Sequence, residues 1–173
     1  MNDKLMTSLL ATLLLCGGCG SDDNDTEVPP VVTPPPVADS VDANEALAIN
    51  LSLAEFDGAS GALSFTLEDD AALAITNAKD YKITYFGFPA EGAASSNAKA
   101  WKRWHVTQSF ECDSSAGECE GVLVESEKGT YSFEAPGLDW DQNTANGSVQ
   151  QYKVAIEIKG AMANNEIVLL PST

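Results

Sequence analysis

The feature that most constrains this chain is an alternation of apolar and polar residues with a period of two, which recurs from Asn44 onward. Successive side chains of a β-strand point to opposite faces of the sheet, so the alternation buries one face of each strand. Its clearest case lies near the C-terminus and comprises Tyr152, Val154, Ile156 and Ile158. The pattern therefore predicts an all-β domain whose sheets share one core.

Seven or eight strands are predicted at this spacing. Their apolar positions are Leu47, Ile49, Leu51 and Leu53; Leu63, Phe65 and Leu67; Tyr81 to Phe88; Trp104, Val106, Gln108 and Phe110; Val122 and Val124; Tyr131 and Phe133; Tyr152 to Ile158; and Ile167 to Leu170. The turn Asp57 to Gly61 joins the first two strands as a hairpin, and only Asp69 to Ala78 suggests a short helix. Short strands separated by turns are typical of a single Greek-key β-sandwich or split barrel, predicted here over residues 44–173.

The N-terminus carries an export signal. Leu5 to Leu15 is an apolar run, shorter than the roughly 20 residues that a membrane-spanning helix needs, and is typical of a secretory signal peptide. The sequence that follows resembles the lipobox of bacterial lipoproteins, with Gly18 before the cleavage point and Cys19 as the residue to be acylated. This predicts a lipoprotein signal peptide at 1–18, an ordinary secretory peptide cleaved nearby being the alternative. Gly20, where an aspartate would favour inner-membrane retention, favours the outer membrane.

Residues 19–43 form an acidic, proline-rich segment. Acidic side chains repel one another and prolines favour the polyproline II conformation, so the segment is predicted to be a disordered, extended tether between lipid and domain. A proline-recognition ligand is the alternative interpretation.

The charge of the chain excludes some partners. Its 26 Asp and Glu residues outnumber nine Lys and Arg, which gives a formal net charge of −17. Such a surface repels the phosphates of nucleic acids and of anionic membranes, so we predict no nucleic-acid partner. A cationic or metal-bearing partner, or an oxide surface, is compatible with this charge.

Two cysteines fall within the predicted domain, Cys112 and Cys119. They flank a polar turn between two strands, and in an exported protein this spacing predicts a disulfide that closes a small loop. A zinc site would need two further ligands that the neighbouring sequence does not supply, so no metal site is predicted. Whether the disulfide is structural or redox-active stays open at this point.

The segment Trp101-Lys-Arg-Trp-His105 is the one concentrated basic and aromatic patch. Strand parity buries Trp104 and exposes Trp101, Arg103 and His105, on which a flat anionic ligand such as a flavin could stack. The alternative is a tryptophan that anchors the core among solvated neighbours. His105 has no Ser or Cys partner at a recognisable spacing, so we predict no catalytic site.

Acidic pairs offer candidate calcium ligands: Asp22-Asp23, Asp69-Asp70, and Asp139 with Asp141. None lies in a loop of alternating oxygen ligands with the required glycine, so solvated turns are the preferred interpretation. A pair of glycosidase carboxylates stays open, because nothing in the sequence selects one.

The order of these parts resembles the amino-terminal domain of the OmcA/MtrC family of outer-membrane decahaem c-type cytochromes. The resemblance comprises the lipobox ending at Cys19 with Gly20 to Asp23 after it, Leu63 to Leu67, Trp101 to Trp104, Gly129-Thr-Tyr-Ser-Phe133, and Tyr152 to Ile158. It implies a split-barrel domain that precedes haem-bearing domains, in proteins that pass respiratory electrons outward to metal oxides and soluble shuttles.

One departure from the family limits what this chain can do. Covalent haem attachment needs Cys-x-x-Cys-His, whereas Cys16-Gly-Gly-Cys19 is followed by Gly20 and lies at the cleavage site. We therefore expect no cofactor in this chain and haem c only in sequence downstream of Thr173.

The resulting prediction is a non-catalytic, lipid-anchored module on the cell-surface side of the outer membrane, within a multihaem cytochrome of extracellular electron transfer. Its expected partners are haem domains or outer-membrane electron-conduit proteins. The alternative is a stand-alone surface lipoprotein that binds a protein, a carbohydrate or a flavin.

Overall fold

A computed structural model describes residues 39–92, 106–142 and 144–173. Within those ranges the chain forms strands and no helix, so no helix there is long and apolar enough to cross a membrane. In chain order the strands are β1 (Ser40–Asp42), β2 (Asn50–Phe56), β3 (Leu63–Glu68), β4 (Ala74–Thr76), β5 (Asp80–Phe88), β6 (Val106–Asp113), β7 (Glu118–Cys119), β8 (Leu123–Glu127), β9 (Thr130–Phe133), β10 (Gln151–Lys159) and β11 (Leu169–Pro171).

The strands form two sheets. The first sheet has the order β1-β4-β3-β9-β8, with β2 also paired to β3, and only its β1–β4 pair is parallel. The second sheet has the order β11-β10-β5-β6-β7 and is antiparallel throughout. The predicted all-β sandwich or split barrel is confirmed, although the described residues form eleven strands where seven or eight were predicted, because several strands are only two or three residues long.

The core lies between the sheets and is formed by the inward-facing residues of the strands, which are every second residue of each strand. Its largest fully buried side chains are aromatic: Tyr81, Tyr85, Tyr131, Phe56, Phe65 and Phe133. Their rings contact one another and Phe110, mostly in tilted or edge-to-face pairs, such as Tyr81 and Phe133 at 5.4 Å and Tyr85 and Phe110 at 5.7 Å between centroids, while Phe65 and Tyr131 are stacked. The alternation predicted for β3, β9 and β10 is thus the burial pattern that the structure shows, and β5, predicted from its residue content, alternates in the same way.

Buried tyrosine hydroxyls are satisfied by backbone groups. The Tyr131 hydroxyl donates to the Ile75 carbonyl (2.9 Å) and accepts from the Ala78 amide (3.2 Å), and burial raises the pKa of Tyr131 to about 12. Tyr85 donates to the Gly61 carbonyl (2.7 Å), and burial raises its pKa as well. These bonds join β9 to β4 and to the residues just after it, and β5 to the turn between β2 and β3.

Several predicted apolar positions are exposed. Leu47 is 81% exposed because it lies before β2, which begins at Asn50, and Ile167 and Val168 are exposed because β11 begins at Leu169. Val122 and Val124 are 70% and 50% exposed, because β8 has the opposite parity from the one predicted.

The suggested helix between Asp69 and Ala78 is absent from the described chain. Asp69 Oδ1 instead accepts the backbone amides of Ala71 and Leu73, both at 2.8 Å, and this turn leads into β4. An aspartate that binds amides two and four residues on offers the backbone an alternative to helical bonding.

The described fold also reaches into the segment predicted as tether. β1 lies before residue 44, and its residues Ser40 to Asp42 pair with Ala74 to Thr76. The Asp42 carboxylate accepts from the Asn44 amide and from the Asn77 side chain, each at 2.9 Å.

The two sheets meet at two seams of different construction. At the closed seam, beside β2 and β11, the Ser172 amide donates to the Tyr152 carbonyl and the Thr173 amide to the Phe56 carbonyl, both at 3.1 Å. The Thr173 hydroxyl also accepts from the Phe56 amide at 3.1 Å. At the open seam, between β6–β7 and β8, residues 120–122 cross from one sheet to the other.

Candidate functional site

The open seam holds the disulfide predicted from the sequence. Cys112 and Cys119 are bonded and lie directly opposite each other on β6 and β7, with Cys112 6% exposed and Cys119 exposed. Next to them, the Glu120 amide donates to the Glu111 carbonyl (2.8 Å), and the Glu120 carbonyl accepts from the Tyr81 hydroxyl (3.0 Å). The disulfide prediction is confirmed, and its neighbourhood fixes the position of the crossing segment.

The crossing segment separates two surface grooves. The smaller one, about 250 Å³, is lined mainly by apolar atoms and includes Tyr81, Gly121, Leu123 and both cysteines. The larger one, about 460 Å³, runs along β6 and mixes polar with apolar residues: Thr107, Ser109, Phe110, Glu120, Pro136 and Gln142. We call this second groove the β6 groove.

Ion pairs lie on the outer face of the second sheet beside the disulfide. Glu111 binds Lys159 at 2.6 Å and Lys82 at 3.5 Å, and these lysines, Lys159 first, lower the pKa of the Glu111 carboxyl. The Glu111 carboxylate in turn raises the pKa of Lys159. Burial, together with Glu120, raises the pKa of Tyr81, so this phenol stays a hydrogen-bond donor at neutral pH.

Several predicted site residues lie outside the described residues. The acylation site Cys19 falls before residue 39, and the proposed flavin patch of Trp101, Arg103 and His105 falls between residues 92 and 106. Lipid attachment and flavin binding therefore stay predictions.

The described acidic pairs act as turn caps. Asp139 Oδ1 accepts the Asp141 amide and Asp141 Oδ1 accepts the Gly147 amide, both at 2.9 Å, while Asp69 caps the turn before β4. Within residues 39–92, 106–142 and 144–173, no group of three His, Cys, Asp or Glu side chains is placed to hold a metal ion. The pair Asp22-Asp23 lies outside these ranges.

Haem c does not fit the residues of this chain. The cysteines of the domain are bonded to each other, so neither offers a free thiol for a thioether, and Cys119 is followed by Glu120 rather than by a histidine. No Cys-x-x-Cys-His occurs in the sequence.

Comparison with known proteins shows where this fold recurs. No protein-family model and no curated protein matches the chain. Its fold is similar to part of MtrC from Shewanella baltica OS185, with a TM-score of 0.53 and 18% identity over 71% of this chain and 21% of that one. The outer membrane decaheme cytochrome OmcA is also similar, with a TM-score of 0.44 and 14% identity over 75% of this chain and 23% of that one.

The resemblance predicted from the sequence is thus confirmed at the level of the fold. This chain spans about a fifth of the length of MtrC, so the likeness concerns one module of a much longer protein. The β6 groove was not predicted from the sequence, because a groove along a strand edge depends on which strands become neighbours. The only local signal is that Thr107 to Glu111 lacks Lys and Pro, which commonly protect exposed edges.

Proposed function

We propose that this chain is a non-catalytic module of an outer-membrane, cell-surface multihaem cytochrome that takes part in extracellular electron transfer. The observation that carries the proposal is the fold shared with MtrC over 71% of this chain. In this proposal the haem groups belong to other polypeptide sequence, because no Cys-x-x-Cys-His is present here.

The module would act as a spacer and a docking unit. An acyl chain on Cys19 and the proline-rich tether that follows this residue would attach the domain to the membrane. The domain would then hold its partners close to the membrane surface, and its sheets would supply contact area. The net charge of −17 opposes direct adhesion to anionic lipid, which favours attachment through the acyl chain.

Haem association can be tested on the native product. Antibodies raised against the domain would be used to recover the protein from outer membranes of the organism that makes it, followed by haem staining and a visible spectrum. We expect c-type haem, either in the same polypeptide or in one that co-purifies with it. A haem-free protein recovered alone from cells grown on an external electron acceptor would contradict the proposal.

Lipid attachment has a matched control within the leader. Metabolic labelling with a fatty acid should mark the wild-type chain and the Cys16→Ala variant, but not Cys19→Ala. Protease added to intact cells should then degrade the labelled domain if it faces outward. Labelling that persists in Cys19→Ala would show that this residue is not the anchor.

A further inference from the structure

Among the described residues, no strand pairs with the part of the β6 edge that lines the β6 groove. The Glu120 amide donates to the Glu111 carbonyl, so Glu111 directs its backbone groups toward the β7 side of β6. Backbone groups of an antiparallel strand alternate in direction, so Ser109 and Thr107 direct theirs to the same side. β7 pairs with Cys112 and Asp113 of β6. In the described chain no strand continues this ladder along β6 to Ser109 and Thr107.

Side chains hold this edge in an extended and accessible form. The Gln108 side chain donates to the Asp139 carbonyl (2.5 Å) and accepts from the Asp139 amide (3.2 Å), which anchors β6 to the loop after β9. The Ser109 hydroxyl bonds that of Thr84 at 3.0 Å across the outer face. The edge is therefore rigid before any partner binds, which lowers the entropic cost of adding a strand.

The composition of the groove indicates what would bind. Phe110 and Pro136 offer a small apolar floor, and Glu120 is the charged residue among the described lining residues. A second copy of the chain is a poor fit, since each copy carries a net charge of −17 and would oppose its Glu120 to that of its partner. An extended peptide with apolar side chains and a Lys or Arg matches both features.

We propose that the β6 groove binds an extended cationic peptide segment, which adds as a strand to the edge of β6 at Thr107 and Ser109. The backbone of the peptide pairs with these two residues, an apolar side chain covers Phe110, and a cationic side chain meets Glu120. The proposal concerns this edge alone and holds whether or not the chain belongs to a cytochrome.

Hydrogen exchange of the free mature chain tests whether the edge of β6 at Thr107 and Ser109 is unpaired. The amides of Thr107 and Ser109 should exchange at least about tenfold faster than those of Gln108 and Phe110, whose amides point toward β5. Equal protection of all four amides would mean that the chain already covers its own edge, and it would overturn the proposal.

Binding is tested with a fluorescently labelled synthetic octapeptide of alternating valine and threonine that carries one central lysine. Titration into the mature chain should give saturable binding that protects the Thr107 and Ser109 amides and weakens with added salt. Two peptides are compared, one methylated on the backbone nitrogens of its odd-numbered residues and one on those of its even-numbered residues. Only one of the two methylations should abolish binding, because only one of these sets faces β6. No binding at millimolar protein, or equal binding of both methylated peptides, would overturn the proposal.

Variants locate the site on the protein. Ser109→Pro removes the edge amide and should weaken binding by about tenfold or more, whereas Ser109→Ala keeps that amide, loses only the hydroxyl bond to Thr84 and should have a much smaller effect. Glu120→Lys should weaken binding by about tenfold, whereas Glu127→Lys, the same charge change on β8, should have a much smaller effect. If Ser109→Pro does not fold, the Glu120→Lys and Glu127→Lys pair decides, and equal effects of these two would overturn the proposal.

Discussion

The two sheets of the barrel are joined at two seams, and the contacts at these seams differ in kind. The closed seam uses backbone and side-chain hydrogen bonds between Phe56, at the end of β2, and Thr173, after β11. At the open seam the crossing segment links the sheets, next to a disulfide that joins β6 and β7 within the second sheet, and among the described residues part of the β6 edge has no strand partner. Closure of a barrel and occupation of its edges are therefore separate properties.

The crossing segment of the open seam should be the most sensitive to substitution. Gly121 has a φ of +88°, and a Cβ there would meet the Phe133 ring at 2.7 Å. Gly121→Ala should lower the free energy of unfolding by about 3 kcal/mol, about 1 from the backbone and about 2 from overpacking. Urea denaturation measures the change.

Gly117→Ala is the matched control for that substitution. Gly117 also has a positive φ, +72°, but no atom lies within 4 Å of the position of its Cβ. The free energy of unfolding of this variant should fall by only about 1 kcal/mol. Equal losses in the two variants would show that contact with the Phe133 ring adds nothing to the cost of a Cβ at position 121.

Removal of the disulfide should give the next largest effect. The double variant Cys112→Ser, Cys119→Ser opens a loop with a sequence separation of 7 and should lose about 2.5 kcal/mol, mainly because the unfolded chain gains freedom. A phosphine-reduced wild type should show the same shift in urea midpoint. An unchanged midpoint in both samples would mean that the crossing segment holds the open seam without the bond.

The closed seam should lose less stability when one of its bonds is removed. Thr173→Ala deletes the hydroxyl that accepts from the Phe56 amide but keeps the bond from the Thr173 amide, so a loss of about 1 kcal/mol is expected. Ser172→Ala, whose backbone bond to Tyr152 is retained, serves as the control and should stay within about 0.5 kcal/mol of the wild type. Faster exchange of the Phe56 amide in Thr173→Ala alone would assign the loss to this seam.

The smallest effect is expected from the ion pairs beside the open seam. Lys159 and Lys82 lower the pKa of Glu111 below its usual 4.5, so their stabilising contribution is present above that value and is lost as the pH falls through the folded-state pKa. Glu111→Gln should therefore reduce the loss of stability of the protein between neutral and acidic pH. Glu68→Gln, on the first sheet, is the control, and identical pH profiles for the two variants would exclude a special role for Glu111.

The sequence predicted the fold where a strand is long enough to show its period. β10 spans nine residues and β3 six, and their inward positions were identified from alternation, whereas β5, also nine residues long, was predicted from its content of Tyr, Ile, Thr and Phe. β1, β4, β7 and β11 span two or three residues, too few to display a period, and their pairing depends on neighbours distant in the chain. β8 shows the remaining limit, because Val122 and Val124 are as apolar as a core pair, yet the register with β9 exposes both.

The candidate site likewise has one part that could be predicted from the sequence and one part that could not. The disulfide was predictable because both cysteines lie close in sequence across a polar turn, so local geometry suffices. The β6 groove was not, since it arises from the early end of β7 and from the bond between Gln108 and Asp139, residues 31 positions apart.

The first strand of the described chain also has a mechanical consequence. β1 is held by three parallel residue pairs and by the bonds of the Asp42 carboxylate, whereas β5 and β10 share nine pairs. Any pulling force transmitted through the residues before Asp39 enters the barrel at β1. That strand should detach under load before the aromatic core is disturbed, which would make it a release point that lengthens the connection while the rest of the barrel stays folded.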